Sequence, residues 1–157
     1  MKIFWTTLLT CFLMGMPVLA AEPVTFDNYL RSFDYRERSA IKIGIQEMLN
    51  LYKQEQVQIV DIRFPEEYQA WRFGFMKNIP LNELPDRLKE LDKTKLIVTV
   101  CPHYDRAEIA RTYLTLQGYH SRYLVEGLLG LADYLRGDRA KAFIDDMKSS
   151  DERDIYK

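Results

Sequence analysis

Residues 95–119 read "KLIVTVCPHYDRAEIARTYLTLQGY". The first six are apolar and β-branched enough for a strand buried on both faces, and the segment from Asp105 has the pattern of an amphipathic helix. A buried strand that turns straight into a helix is the repeating unit of a parallel α/β sheet. At the turn stands Cys101, and Arg106 follows five residues later.

Outward from this unit the alternation continues in both directions. Toward the N-terminus, "AIKI" (40–43) suits a short strand, and "GIQEMLNLYKQ" (44–54) a helix with Gly44 as N-cap and Glu47 three residues later. "VQIVDIR" (57–63) is a β-branched strand, and "PEEYQAWRF" (65–73) a short helix opened by Pro65, with two acids near its positive end. "FMKNIPL" (75–81) supplies a third short strand whose pairing Pro80 ends, and "NELPDRLKEL" (82–91) reads as a helix. Toward the C-terminus, Gly118 fits a helix C-cap, "SRYLVEG" (121–127) is a fifth strand, and "LLGLADYLRG" (128–137) and "DRAKAFIDDMKSS" (138–150) are helices. The expected fold is a three-layer α/β/α domain over residues 40–150, built on a five-stranded, mainly parallel central sheet with residues 95–100 in the middle. Residues 22–39 form an N-terminal arm with a short helix.

The chain has 157 residues, 47% of them apolar and 13% aromatic, enough to pack one core. Its net charge of −1, without any basic patch interleaved with exposed aromatics, sets nucleic acid aside as a partner. At the N-terminus, Lys2 precedes an apolar run from Ile3, and Val18, Leu19 and Ala20 make a small-residue cleavage pattern. Residues 1–21 are therefore expected to be a secretory signal peptide, with the mature protein periplasmic or secreted and without stable membrane insertion after cleavage. The alternative is a retained anchor, since the run is nearly long enough to span a bilayer.

Of the two cysteines, Cys11 leaves with that leader, so Cys101 has no internal disulfide partner. An unpaired cysteine in an oxidising compartment is either buried and inert or kept for its reactivity. Three readings compete: a thiol nucleophile, a phosphatase-like anion cradle, or an ordinary small apolar residue in a turn. With two histidines in the whole chain, a thiolate or imidazole metal cluster cannot be assembled.

Ligands of open α/β sheets bind beyond the carboxyl ends of the strands, where Cys101 stands. A loop entering a helix aims unpaired N–H groups at one point, and the helix dipole adds about half a positive charge there. The nucleophilic form of cysteine is the thiolate, and free cysteine titrates near ~8.5. The loop N–H groups and Arg106 are expected to lower that value, with Arg106 offering its planar fork to the thiolate or to a bound oxyanion. Pro102 has no N–H, which leaves the donors to residues 103–107. Asp105 is expected to cap the following helix, and His103 either supports the thiolate or is simply exposed.

The segments "VQIVDIRFPEEYQAW", "NIPLNEL", "KLIVTVCPHYDRAEIARTYLTLQGY" and "YLVEGLLGLADYL" resemble, in order over about residues 40–137, a single rhodanese-like domain. The resemblance implies a sulfurtransferase that carries sulfane sulfur as a persulfide on Cys101, passing it from a donor such as thiosulfate or a persulfide to a thiol or cyanide. It implies no cofactor. The partners would be a small sulfur donor and a thiol acceptor, or one dedicated acceptor protein for a non-catalytic carrier module. It further implies that Pro102, His103, Tyr104, Asp105, Arg106 and Ala107 form the substrate loop, with Asp61, Arg63 and Arg72 in support. Rhodaneses have a Cys-x4-Arg loop, whereas related phosphatases and arsenate reductases have Cys-x5-Arg; Ala107 stands where those would need the arginine. The chain departs from the family pattern at Tyr104, Ala107, Arg72 and Glu126.

Overall fold

The computed structural model describes residues 24–155; the expected leader, residues 1–21, lies outside the described residues. Five strands form one sheet: β1 (Lys42–Ile43), β2 (Val57–Asp61), β3 (Lys77–Asn78), β4 (Leu96–Val100) and β5 (Ser121–Leu124). Their spatial order is β1-β5-β4-β2-β3, and every neighbouring pair is parallel. The sheet is thus of the α/β class expected, and wholly rather than mainly parallel. The strand richest in β-branched residues is the central one, where both faces and both edges are covered.

Side chains along β4 alternate between two cores. Ile97 joins Val60, Ile62, Leu84, Ala107, Ala110 and Leu114 in one cluster, under α5 (Asp105–Leu116). Val98 and Val100 join Ile43, Met48, Leu128, Leu131 and Phe143 in the other. That second cluster is closed by α3 (Ile45–Lys53), α6 (Gly127–Tyr134) and α7 (Asp138–Ile155). Cys101 continues the alternation and falls in the α5 cluster.

Helix α5 is held by a stripe of buried residues, Ala107, Ala110, Arg111 and Leu114, at helical spacing. It ends at Gly118, whose φ of +78° suits glycine. The Tyr119 N–H donates to the Leu114 carbonyl (3.0 Å) and the Gly118 N–H to that of Thr115 (3.0 Å), closing the helix as its sequence predicts.

Two segments differ from the sequence-based expectation. Residues 82–91 do not form an α-helix; Leu84–Glu90 is a 3₁₀ helix. Pro80 and Pro85 remove N–H donors from this stretch, and the N–H groups of Glu83, Asp86 and Leu91 bond to carbonyls three residues back. The N-terminal arm holds two short helices rather than one, α1 (Phe26–Ser32) and α2 (Tyr35–Ala40), with α4 (Pro65–Ala70) following β2 later in the chain. Thr25 and Asp34 cap the first two through bonds from Asn28 and Glu37 N–H groups. The arm is fastened by Arg111, a buried guanidinium that donates to Tyr29, to Glu37 and to the Ser121 carbonyl.

Candidate active site

Cys101 follows β4 at the carboxyl edge of the sheet, with its side chain wholly buried. The backbone N–H groups of Ala107, Arg106 and His103 lie around its sulfur and favour its ionised form. The loop takes this shape because its carbonyls are engaged elsewhere. The Leu128 N–H donates to Cys101 O (2.8 Å) and the Leu129 N–H to Pro102 O (3.2 Å), so the start of α6 turns these carbonyls away from the sulfur. The Thr99 hydroxyl donates to Ala107 O (2.8 Å), anchoring the first turn of α5.

Gly127 makes the approach of α6 possible. Its φ is +63°, and a Cβ there would lie 2.0 Å from the His103 carbonyl oxygen and 2.5 Å from that of Pro102. Backbone oxygens cannot step aside as a side chain could, so any larger residue must displace the loop.

The electrostatics correct the expectation of a lowered thiol pKa. Burial pushes the Cys101 thiol up; the N–H groups of Ala107, Arg106 and His103 pull it down, and the Asp105 carboxylate adds to the rise. Asp105 is also not the helix cap. Tyr104 holds the N-cap position without a side-chain bond, and Asp105 is the first helical residue. From there its Oδ1 accepts a hydrogen bond from the Cys101 thiol at 3.6 Å.

Arg106 is placed differently from the expectation as well. Its Nη1 and Nη2 donate to the two carboxylate oxygens of Glu67 in α4, at 2.7 and 2.9 Å, so its fork is taken up by that carboxylate. A carboxylate matches both prongs of a guanidinium, which a single sulfur atom cannot do. The Arg106 guanidinium in turn holds the Glu67 carboxyl below its usual range. Glu67 also accepts from the Phe64 N–H (3.3 Å), tying the loop to the exit of β2. Sequence reasoning assigned Glu67 no place in the site. No local signal links residues 39 positions apart, although its place in the Glu67–Tyr68 pair following the Asp-x-Arg of β2 is the one available hint.

Asp61 and Arg63 form a buried ion pair beneath this rim, with side chains 1% exposed on both sides. Nε of Arg63 donates to both Asp61 oxygens (3.0 Å each) and Nη2 to Oδ2 (2.7 Å). The remaining donors reach the carbonyls of Trp71 (2.8 Å) and Glu67 (3.3 Å), and the guanidinium stacks on the Trp71 ring. Arg72 is exposed and lies over the Tyr68 ring, with its guanidinium carbon 5.4 Å from the ring centre. Among the other residues predicted for the loop, His103 and Tyr104 are exposed and Pro102 is half-buried. The Ala107 side chain is buried in the core, so that residue meets the sulfur through its N–H alone.

A pH dependence follows from the raised thiol. Alkylation of Cys101 by iodoacetamide is expected to be slower than that of free cysteine at pH 7 and to rise through a midpoint above that of free cysteine, near ~8.5. A rate profile across pH 6–11, fitted for its midpoint, checks this; a midpoint below that of free cysteine contradicts it.

A family model described as "Rhodanese-like domain" matches residues 45–132. Thiosulfate sulfurtransferase GlpE of Pseudomonas putida is 28% identical over 86 residues, covering 55% of this chain and 78% of the relative. The protein of the same name from Pseudoalteromonas translucida is 31% identical over 85 residues, covering 54% and 81%. Among solved structures, a rhodanese-like domain protein from Staphylococcus aureus is similar with a TM-score of 0.53 and 28% identity, over 57% of this chain and 88% of that one. With the sheet order, the loop and this match agreeing over more than half of its residues, the chain belongs to the rhodanese-like domain family.

Proposed function

We propose that this protein is a sulfurtransferase that carries sulfane sulfur as a persulfide on Cys101, working in the periplasm or after secretion. The observation that carries the reading is the sulfur of Cys101 at the focus of three loop N–H groups in a Cys-x4-Arg loop. The relatives named as thiosulfate sulfurtransferases support it.

In the first half-reaction the Cys101 thiolate attacks the outer sulfur of the donor. A bond forms to that sulfur, the donor S–S bond breaks, and the leaving group departs with the electron pair, as sulfite from thiosulfate or as a thiolate from an organic persulfide. The N–H groups of His103, Arg106 and Ala107 stabilise the negative charge on sulfur at each stage. In the second half-reaction an acceptor thiolate or cyanide attacks the terminal sulfur and releases the Cys101 thiolate. The Glu67–Arg106 pair acts as a brace for the loop rather than as an anion receptor, which also weighs against phosphatase or arsenate reductase chemistry.

The test is intact-mass measurement of the protein after incubation with thiosulfate or with an organic persulfide. One added sulfur atom, mapped to Cys101 and removed by a thiol or cyanide, is the expected result. Loading without turnover on small acceptors would favour the dedicated carrier reading, consistent with a sulfur that is wholly covered. No gain of sulfur with any donor would refute both.

A further inference from the structure

The charges around the sulfur are not those that a small inorganic dianion would need. Residues 101–107 include one arginine or lysine, Arg106, and its fork is held in two hydrogen bonds by Glu67. The Glu67 carboxylate thus offsets much of the Arg106 charge, although Arg106 still attracts the ionised sulfur. Asp105, by contrast, faces the thiol directly at 3.6 Å and is exposed. Glu108 stands one turn further along α5, also exposed, and the other basic side chain of the loop, His103, is exposed as well. A donor bringing its outer sulfur into line with Sγ must carry any charge of its own to within a few ångströms of the Asp105 carboxylate.

We infer that Asp105 is a specificity-determining residue that disfavours anionic sulfur donors and selects persulfides borne on neutral or cationic organic carriers. This rests on the sulfurtransferase reading and names the substrate class of the same site. Thiosulfate carries two negative charges next to the sulfur it donates, so it meets the full repulsion. A persulfide reacting as its protonated form RSSH, with a neutral or ammonium-bearing R group, does not. Its transfer also balances: Cys101 gives up its proton, the thiolate bonds to the outer sulfur of RSSH as the S–S bond breaks, and RS⁻ leaves and takes up that proton, with the Asp105 carboxylate hydrogen-bonded along the path. Like charges at such a separation near a protein surface change rates by about tenfold or more, and salt screens the effect where the group is exposed.

The test uses the full mature chain, persulfides of cysteamine (cationic) and of 3-mercaptopropionate (anionic), and thiosulfate. Sulfur loading on Cys101 is followed by intact mass at low and high ionic strength. The wild-type protein is expected to load from the cysteamine persulfide about tenfold faster or more than from the mercaptopropionate persulfide at low salt, with thiosulfate also disfavoured. High salt should shrink that ratio, Asp105→Asn should shrink it at least fivefold, and Asp105→Glu should keep it. A structural role alone would not make the ratio depend on both salt and carrier charge. Equal loading from both persulfides, or a ratio unmoved by Asp105→Asn, overturns the inference while the sulfurtransferase reading stands. No loading from any donor overturns both.

Discussion

Replacing Arg63 with methionine is expected to lower the unfolding free energy by about 3–5 kcal/mol, because it leaves the Asp61 carboxylate buried without its ionic partner. Asp61 is 0% exposed and Arg63 1%, so water cannot substitute for the lost donors. The carboxylate would keep only the N–H of residue 63, now at 3.1 Å, out of four hydrogen bonds. The carbonyls of Glu67 and Trp71 lose a donor at the same time. Urea denaturation measures the loss directly. In the double variant Asp61→Asn with Arg63→Met no buried charge remains, and most of the stability should return, since a well-packed neutral pair is often as stable as a buried ionic one. A single-variant loss under about 1 kcal/mol, or a double variant no better than the single, would show that the pair is not the keystone of this corner. The effect should reach the loop too: Arg63 holds the backbone of Glu67, whose side chain holds Arg106.

Cys101→Ser is expected to abolish sulfur loading and to cut transfer at least about 10³-fold while the fold persists. Serine fits the buried space, but its hydroxyl ionises far less readily than a thiol and forms no persulfide. Cys101 is the free cysteine among the described residues, so no neighbouring thiol there can take over. The check is donor-dependent mass gain and turnover in parallel with a thermal melt. A folded serine variant that retains more than a tenth of the wild-type rate would move the chemistry away from Cys101.

The strand-turn-helix at residues 95–119 was legible because burial on both faces of a central strand and along one stripe of a helix leaves a periodic record in the side chains. The same holds for β2, α3 and the Gly118 helix stop. Residues 82–91 misled: their apolar spacing suits either helix type, and the loss of N–H donors at Pro80 and Pro85 decides for the tighter one. The arm misled in a different way, since its fastening depends on Arg111, which in sequence is one more charge on an amphipathic helix.

At the site, the sequence alone determined the position of Cys101 at a sheet edge before a helix and the Cys-x4-Arg count, because both are matters of local order along the chain. Only the tertiary structure decided where the charges go. Glu67, distant in sequence, takes the fork of Arg106; Gly127 lets the start of α6 draw the loop carbonyls outward; and Asp105, one residue too late to cap, turns to the thiol. The sign of the thiol's shift reversed for the same reason. Loop N–H groups that lower a pKa are written in local geometry, whereas the burial that raises it comes from the packing of α5 and α6 around the loop.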